Sequence, residues 1–260
     1  MTENEAYGHT FPIVFSYTVL LITPDKKYDP PFEAGAGVFV QIGERLFVAT
    51  AAHCMKNNAF IADEKGFEYP SKPAVTILNR GANWDIDIGF LEVTNDKHLK
   101  ALGRSFCSLD HLALSDLAVG DMHHVVGYPV GNWKRQGTTT ELVKCGFGSQ
   151  FQEKEGEYLI FPFPKKEDWF RPVGEGFEKA TFIETPEGFS GGGLWAFNRV
   201  PEGELFVPEK HIKLRGIQCA WWIELRLVKC VPIQRWLELI QEAYPDLRPE
   251  LEAKCPALAE

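Results

Sequence analysis

The chain has 260 residues, of which 45% are hydrophobic and 24% charged, and it carries a formal net charge of -9. That acidity argues against nucleic acid as the main partner, because neutralising phosphates requires a basic face. No apolar run reaches the ~18 residues of a membrane helix; the nearest, residues 12–21, is interrupted by Ser16, Tyr17 and Thr18, so no membrane association is expected.

In chain order, the opening residues Met1-Thr2-Glu3-Asn4-Glu5 are acidic. They lack the cationic start and apolar core of a secretory signal, and the expectation is a cytoplasmic protein. Short apolar runs punctuated by Gly, Pro, Asn and Asp then read as strands over residues 13–22, 35–42, 45–51, 74–78 and 86–93. Residues 110–118 are polar and loop-like and lead into a crossover. A second set of strands follows at 123–127, 140–146, 159–163, 180–184, 192–197, 213–219 and 225–228. The stretch 161–178, with Trp169 and Phe170, is aromatic and charged, and would either rim a cleft, dock a partner or pack as a surface loop.

Only residues 233–243 read as a helix: Ile233, Trp236, Leu237 and Ile240 form one apolar stripe, with Pro232 near its start. Beyond Pro245 the chain is rich in Pro and Glu and is expected to fray. The pattern predicts an all-β fold with no linker between its halves. The six cysteines, Cys54, Cys107, Cys145, Cys219, Cys230 and Cys255, show no paired spacing and no C-x-x-C. Neither a zinc site nor a disulfide framework is indicated, and reduced thiols are expected. Cys219 and Cys230 could face one another across a hairpin.

Three motifs carry the chemistry: Thr50-Ala51-Ala52-His53-Cys54, Asp87-Ile88-Gly89-Phe90-Leu91 and Gly188-Phe189-Ser190-Gly191-Gly192. Each adjoins a strand-like run. A serine hydroxyl is a weak nucleophile until an imidazole takes its proton, and the imidazole needs a carboxylate to hold its tautomer. His53 is the candidate base and Ser190 the candidate nucleophile. Asp87, directly before an apolar strand, is favoured as the orienting carboxylate, with Asp85 as the fallback two residues earlier. The glycines around Ser190 would let the backbone turn so that the N–H groups of Gly188 and Ser190 converge as an oxyanion hole, typically worth ~3 kcal/mol of barrier per donor.

The order His, Asp, Ser, together with Ala49-Thr50-Ala51-Ala52-His53-Cys54 and Asp87-Ile88-x-x-Leu91, resembles the chymotrypsin/trypsin-like serine peptidases. The resemblance implies two six-stranded antiparallel β-barrels with a C-terminal α-helix. Residues 10–118 would form the barrel carrying His and Asp, 119–245 the barrel carrying Ser and the helix, and 246–260 a tail. The site would lie in the cleft between the barrels.

Where secreted relatives pair the cysteine after the histidine with one on the preceding strand, the run Ala36-Gly37-Val38-Phe39-Val40 has none. Trypsin-like zymogens carry an acid just before the serine, to pair with a new N-terminus. Here that residue is Phe189, so maturation by such an ion pair is not expected. Val125-Val126-Gly127-Tyr128-Pro129 is similar to the strand and turn of HtrA-like and other stand-alone prokaryotic relatives, and no PDZ domain is expected in the residues that follow.

By the same resemblance Glu184, six residues before Ser190, would sit at the base of the substrate pocket and favour a cation, or else face solvent. Cys219, Ala220 and Trp221 would form the adjoining wall, with Trp221 placed to block it. The expectation is a serine endopeptidase acting through an acyl-enzyme on a dedicated protein or peptide substrate, without metal or organic cofactor. Two alternatives stand beside it. One is a non-catalytic or latent protease-like module that needs a regulatory protein partner. The other is an α/β-hydrolase esterase, since Gly188-Phe189-Ser190-Gly191-Gly192 also fits G-x-S-x-G. That fold needs Asp and His after the serine, and the only later histidine is His211.

Overall fold

The computed structural model of the chain describes residues 3–25, 27, 32–62, 67–68, 74–94, 99, 104–114, 117–136, 139–141, 143–166, 183–198, 203–205 and 207–259. Helix α1 (Glu3–Tyr17) leads into strands β1 (Thr18–Pro24), β2 (Phe32–Ile42), β3 (Arg45–Thr50), β4 (Phe60–Ala62), β5 (Phe67–Glu68), β6 (Ile77–Asn83), β7 (Ile88–Val93) and β8 (Cys107–Ser108). Then come β9 (Met122–Gly127), β10 (Lys134–Gln136), β11 (Thr139–Glu141), β12 (Cys145–Gln150), β13 (Glu153–Glu155) and β14 (Tyr158–Pro162). The chain closes with β15 (Gly193–Phe197), β16 (Ile212–Trp222), β17 (Leu227–Pro232) and helices α2 (Ile233–Ala243) and α3 (Arg248–Lys254).

Among the described residues the strands form two curled sheets of seven and a small third one. The first runs β4-β1-β2-β3-β7-β6 with β8 added in parallel to β2, and the second runs β12-β9-β15-β16-β17-β14-β13. The other pairings are antiparallel, as in β3 on β7, where Thr50 lies opposite Gly89. This is the all-β, two-barrel, chymotrypsin-like architecture with a C-terminal helix. It excludes the parallel sheet of the α/β-hydrolase alternative. The small sheet β10-β11-β5 joins residues from both halves of the chain. No helix of the described residues is long and apolar enough to cross a membrane.

Two expectations are corrected. Residues 13–17 are helical, and the first strand begins only at Thr18. The β-branched run Ile13, Val14, Thr18, Val19 favours a strand locally, but Phe11, Val14 and Tyr17 fall on one helical face and are buried. Phe11 meets the rings of His124 and Phe197 edge-on, each at 5.5 Å, and Tyr17 stacks on Trp195 at 5.7 Å. The helix thus lays its apolar face across strands of the second sheet, and tertiary contact overrides propensity. Thr18 Oγ1 donates back to the Val14 carbonyl at 2.9 Å and closes the last turn.

The tail is also ordered rather than frayed. A 3₁₀ turn at Pro245–Leu247, helix α3 and a further turn at Pro256–Leu258 bury Leu247, Leu251, Cys255 and Leu258. The prolines stand in first turns, where a missing N–H costs nothing.

Smaller shifts occur at strand ends. Residues 74–78 become β6 from Ile77, 140–146 divide into β11 and β12, and 225–228 become β17 from Leu227. Ile183 and Glu184 are not in a strand, and 180–182 lie outside the described residues. Helix α2 matches the predicted span and packs against the first sheet. Trp236 Nε1 donates to the Gly89 carbonyl at 3.1 Å, beside the start of β7. Tyr244 donates to the buried Glu92 at 2.9 Å, and Arg45 bridges the same carboxylate at 3.0 Å.

Candidate active site

Strand β3 ends at Thr50, and a 3₁₀ turn over Ala52–Met55 lifts His53 off the sheet edge. The neighbouring strand β7 is entered through the turn 84–87, whose last residue, Asp87, has φ 56°. A left-handed conformation at a non-glycine residue costs of order 1 kcal/mol, and three bonds hold it. The Ala52 N–H donates to the Asp87 carbonyl at 3.3 Å, and the His53 N–H to Oδ1 at 2.9 Å. His53 Nδ1 lies 2.7 Å from Oδ2. One carboxylate therefore grips both the backbone and the ring of His53, leaving Nε2 as the ring nitrogen turned away from Asp87. Asp85, the fallback, is exposed and takes no part.

Burial of His53 works against a charge on the ring. The hydrogen bond to Asp87, with smaller contributions from Cys54 and from the Asp87 charge, more than offsets it and raises the imidazole pKa above its ordinary value.

Ser190 sits in the tight turn after β14 and before β15. Gly188 has φ 90° and Gly191 φ 84°. A Cβ at Gly188 would lie 2.1 Å from the Tyr128 carbonyl oxygen, and one at Gly191 2.0 Å from that of Ala36. Both positions demand glycine on conformation and on space. The Ser190 carbonyl accepts from the Ala36 N–H of β2 at 2.7 Å and from Cys54 Sγ at 3.4 Å. The Gly191 N–H donates to the Gln218 carbonyl of β16 at 2.7 Å, and the Gln218 N–H returns to Gly192 at 2.8 Å. The serine turn is thus pinned to the first sheet on one side and to the second on the other.

Between the glycines, the Phe189 N–H donates to the Pro186 carbonyl at 3.1 Å. Its ring is fully buried, 5.1 Å from Phe147. Where a zymogen-type acid would stand, a phenyl group anchors the turn in the second core. Among the described residues the Gly188 and Ser190 N–H groups make no backbone hydrogen bond. Both residues, with His53 and Cys54, line one cleft of about 380 Å³. No hydrogen bond joins Ser190 Oγ to His53 among the described residues, although both line the same cleft.

The other walls of that cleft are Thr23, Phe32, Glu33, Ala34, Gly35, Val130, Trp133 and Glu187. The sequence motifs do not contain them. Apart from Glu187, which directly precedes Gly188, they come from the β1 end, the β2 start and the loop after β9, which only the folded sheets bring together. A cavity of about 410 Å³, lined by Leu117, Phe151, Arg215 and Ile233 among others, shares no residue with it.

The pocket residues are placed less tightly. Glu184 is exposed, not buried at a pocket base. Cys219 is buried, while Ala220 and Trp221 are half-buried, with Trp221 6.0 Å from Phe163. Trp169 and Phe170 lie outside the described residues. All six cysteines are unpaired and buried.

No family model and no curated protein sequence matches the chain. Solved structures do resemble it. The active form of the Rv3671c protease from M. tuberculosis superposes with a TM-score of 0.53 at 14% identity, covering 92% of this chain and 86% of the other. The serine endoprotease from Yersinia pestis gives a TM-score of 0.54 at 11% identity, covering 95% and 68%. These likenesses establish that the chain has the fold of the chymotrypsin-like serine proteases.

Proposed function

We propose that this chain is a trypsin-like serine endopeptidase in which Ser190, His53 and Asp87 form the catalytic triad. The observation that carries the reading is the double grip of Asp87 on His53, in a cleft that the imidazole shares with a serine flanked by two obligatory glycines.

The chemistry follows. Ser190 Oγ attacks the scissile carbonyl while His53 Nε2 takes its proton. Asp87 Oδ2 accepts from Nδ1–H throughout and stabilises the imidazolium. The oxyanion is held by the Gly188 and Ser190 N–H groups. The imidazolium then protonates the leaving amine. Water, activated by the same imidazole, attacks the acyl-enzyme and restores Ser190. The cycle requires neither metal nor organic cofactor.

"Trypsin-like" refers here to fold and triad order; the exposed Glu184 lends no support to a basic residue on the acyl side. The six free thiols favour a reducing, cytoplasmic setting. A dedicated protein substrate fits a small peptidase, and a regulatory partner could complete the Ser190–His53 contact.

The test is labelling by a fluorophosphonate probe. The wild type should label and Ser190→Ala should not. A wild type that stays unlabelled would show the site to be latent or without nucleophilic function.

A further inference from the structure

The walls of the cleft point to what the enzyme reads beyond the scissile bond; this rests on the peptidase reading above. Ser190 stands between two strands, with its carbonyl bonded to Ala36 of β2 and the next residue bonded to Gln218 of β16. On the peptidase reading, a peptide laid across Ser190 would run with one end along β16 and the other over the start of β2. The cleft of about 380 Å³ takes no residue from β16, and its walls are Phe32 to Gly35 of β2, Val130, Trp133 and Glu187. His53, which must hand its proton to the departing amine, lines this same space. The cleft is thus on the leaving-group side.

Its chemistry is specific. The half-buried Trp133 forms the aromatic wall, stacked on the buried ring of Phe32 with centroids 5.4 Å apart and planes 25° from parallel. The Trp133 indole N–H is buried with no hydrogen-bond partner among the described residues. Glu33 and Glu187 are exposed carboxylates on the same lining, and among the described residues that line it there is no lysine or arginine. The loop is held to the serine turn by Tyr128 N–H to Gly188 O and Val130 N–H to Glu187 O, each at 3.0 Å. Aromatic faces with a flanking pair of negative charges suit a long aliphatic stem ending in a flat cation. Guanidinium stacks on an indole better than ammonium does.

We infer that this cleft selects a cationic residue, arginine ahead of lysine, within the first two positions after the scissile bond. The wall that does so is Trp133, backed by Phe32, with Glu33 and Glu187 supplying the charge.

Acyl transfer tests this without knowledge of the natural substrate. The full chain is acylated at Ser190 by p-nitrophenyl acetate, and the acyl group is allowed to partition between water and a dipeptide amide. The amine nitrogen bonds to the acyl carbon, the Ser190 ester bond breaks, and the amine proton passes through His53 to Oγ. Arg-Gly-amide and Gly-Arg-amide are compared with the Glu-Gly, Gly-Glu and Ala-Ala amides at equal concentration.

At least one arginine amide should capture the acyl group about three- to tenfold better than its glutamate counterpart, the scale of an exposed cation–π contact with charge support. That preference should shrink with added salt and in the double variant Glu33→Gln/Glu187→Gln. Both substitutions are at exposed positions that the fold does not depend on. Equal capture of arginine, glutamate and alanine amides by a chain that is acylated would overturn this inference and leave the peptidase reading standing. A chain that neither acylates nor labels with fluorophosphonate would remove both.

Discussion

Asp87→Asn is the sharpest perturbation of the proposed triad, because it changes one atom and leaves the shape. Asp87 makes two bonds to His53, one to the backbone N–H at 2.9 Å and one to the ring at 2.7 Å. Asparagine can keep the first through its amide oxygen. It must then present an NH₂ group to Nδ1, which forces the proton onto Nε2. An imidazole protonated at Nε2 cannot accept from Ser190. The expected loss is about 10⁴ in the rate of fluorophosphonate labelling, or about 5.5 kcal/mol of barrier, the scale of the equivalent change in a Ser-His-Asp protease.

The stability cost should be far smaller, about 1–2 kcal/mol for one charge-assisted hydrogen bond exchanged for a neutral one. Labelling rates and Tm measured on the same preparations separate the two effects. Asp85→Asn is the control, since its exposed side chain does not touch His53, and it should label within twofold of wild type. Labelling of Asp87→Asn within tenfold of wild type, or a comparable loss in Asp85→Asn, would refute the assignment.

Phe189→Ala removes a fully buried ring from the second core. It should cost about 3–5 kcal/mol, read as a fall in Tm, and should slow labelling because the turn loses its anchor. Gly191→Ala must place a methyl 2.0 Å from the Ala36 oxygen at φ 84°; it should abolish labelling, and normal kinetics would contradict the geometry. Because His53 must be neutral to act and its pKa is raised, kcat/KM should climb with pH through a midpoint above the ordinary ~6.5, seen in a pH–rate profile. The sign for stability is opposite: the pair's contribution is full below ~6.5, the unfolded value, and is lost as pH rises through the folded pKa, so Ser190→Ala protein should show that component in Tm against pH. Leu251→Ala, at a fully buried tail position, should cost about 2–5 kcal/mol by chemical denaturation, whereas a frayed tail would cost nothing.

What could be read from the sequence depended on whether the signal was local. Helix α2 showed itself through an apolar stripe of period 3.6, and β2, β3, β7 and β9 through continuous apolar runs that the two sheets bury. Residues 13–17 misled because β-branched side chains favour a strand while the decisive contacts, Phe11 with His124 and Tyr17 with Trp195, are more than a hundred residues distant in the chain. Strand β6 was misplaced because it is a partly exposed edge with polar Asn79, Arg80 and Asn83, so no apolar pattern marks it. The tail hid a stripe at Leu247, Leu251, Cys255 and Leu258 behind prolines that turned out to start its turns. In the site, Asp87 and Asp85 were two residues apart in a polar turn, and only the fold brings one of them to His53. The aromatic and acidic walls of the cleft left no local trace, since Phe32 and Trp133 are a hundred residues apart.

The position before the serine carries a mechanistic consequence. An acid there would need a cationic partner delivered from outside the turn, and such a turn can be held disordered until the partner arrives. Phe189 instead draws the turn into the second core by apolar burial, and that force acts as soon as the sheet folds. The Ser190 carbonyl then docks on Ala36 N–H and Cys54 Sγ of the first sheet, so the order of the turn depends on the two sheets meeting. With Phe189 in that position, the turn offers no carboxylate for a newly cleaved N-terminus to pair with. Anything that loosens or tightens the contact between the sheets can exert control, because the same contact sets the position of Ser190 relative to His53. A partner that activates the enzyme should therefore raise the labelling rate without any change in chain length, and should do so less in a variant whose turn is already loosened, such as Phe189→Ala.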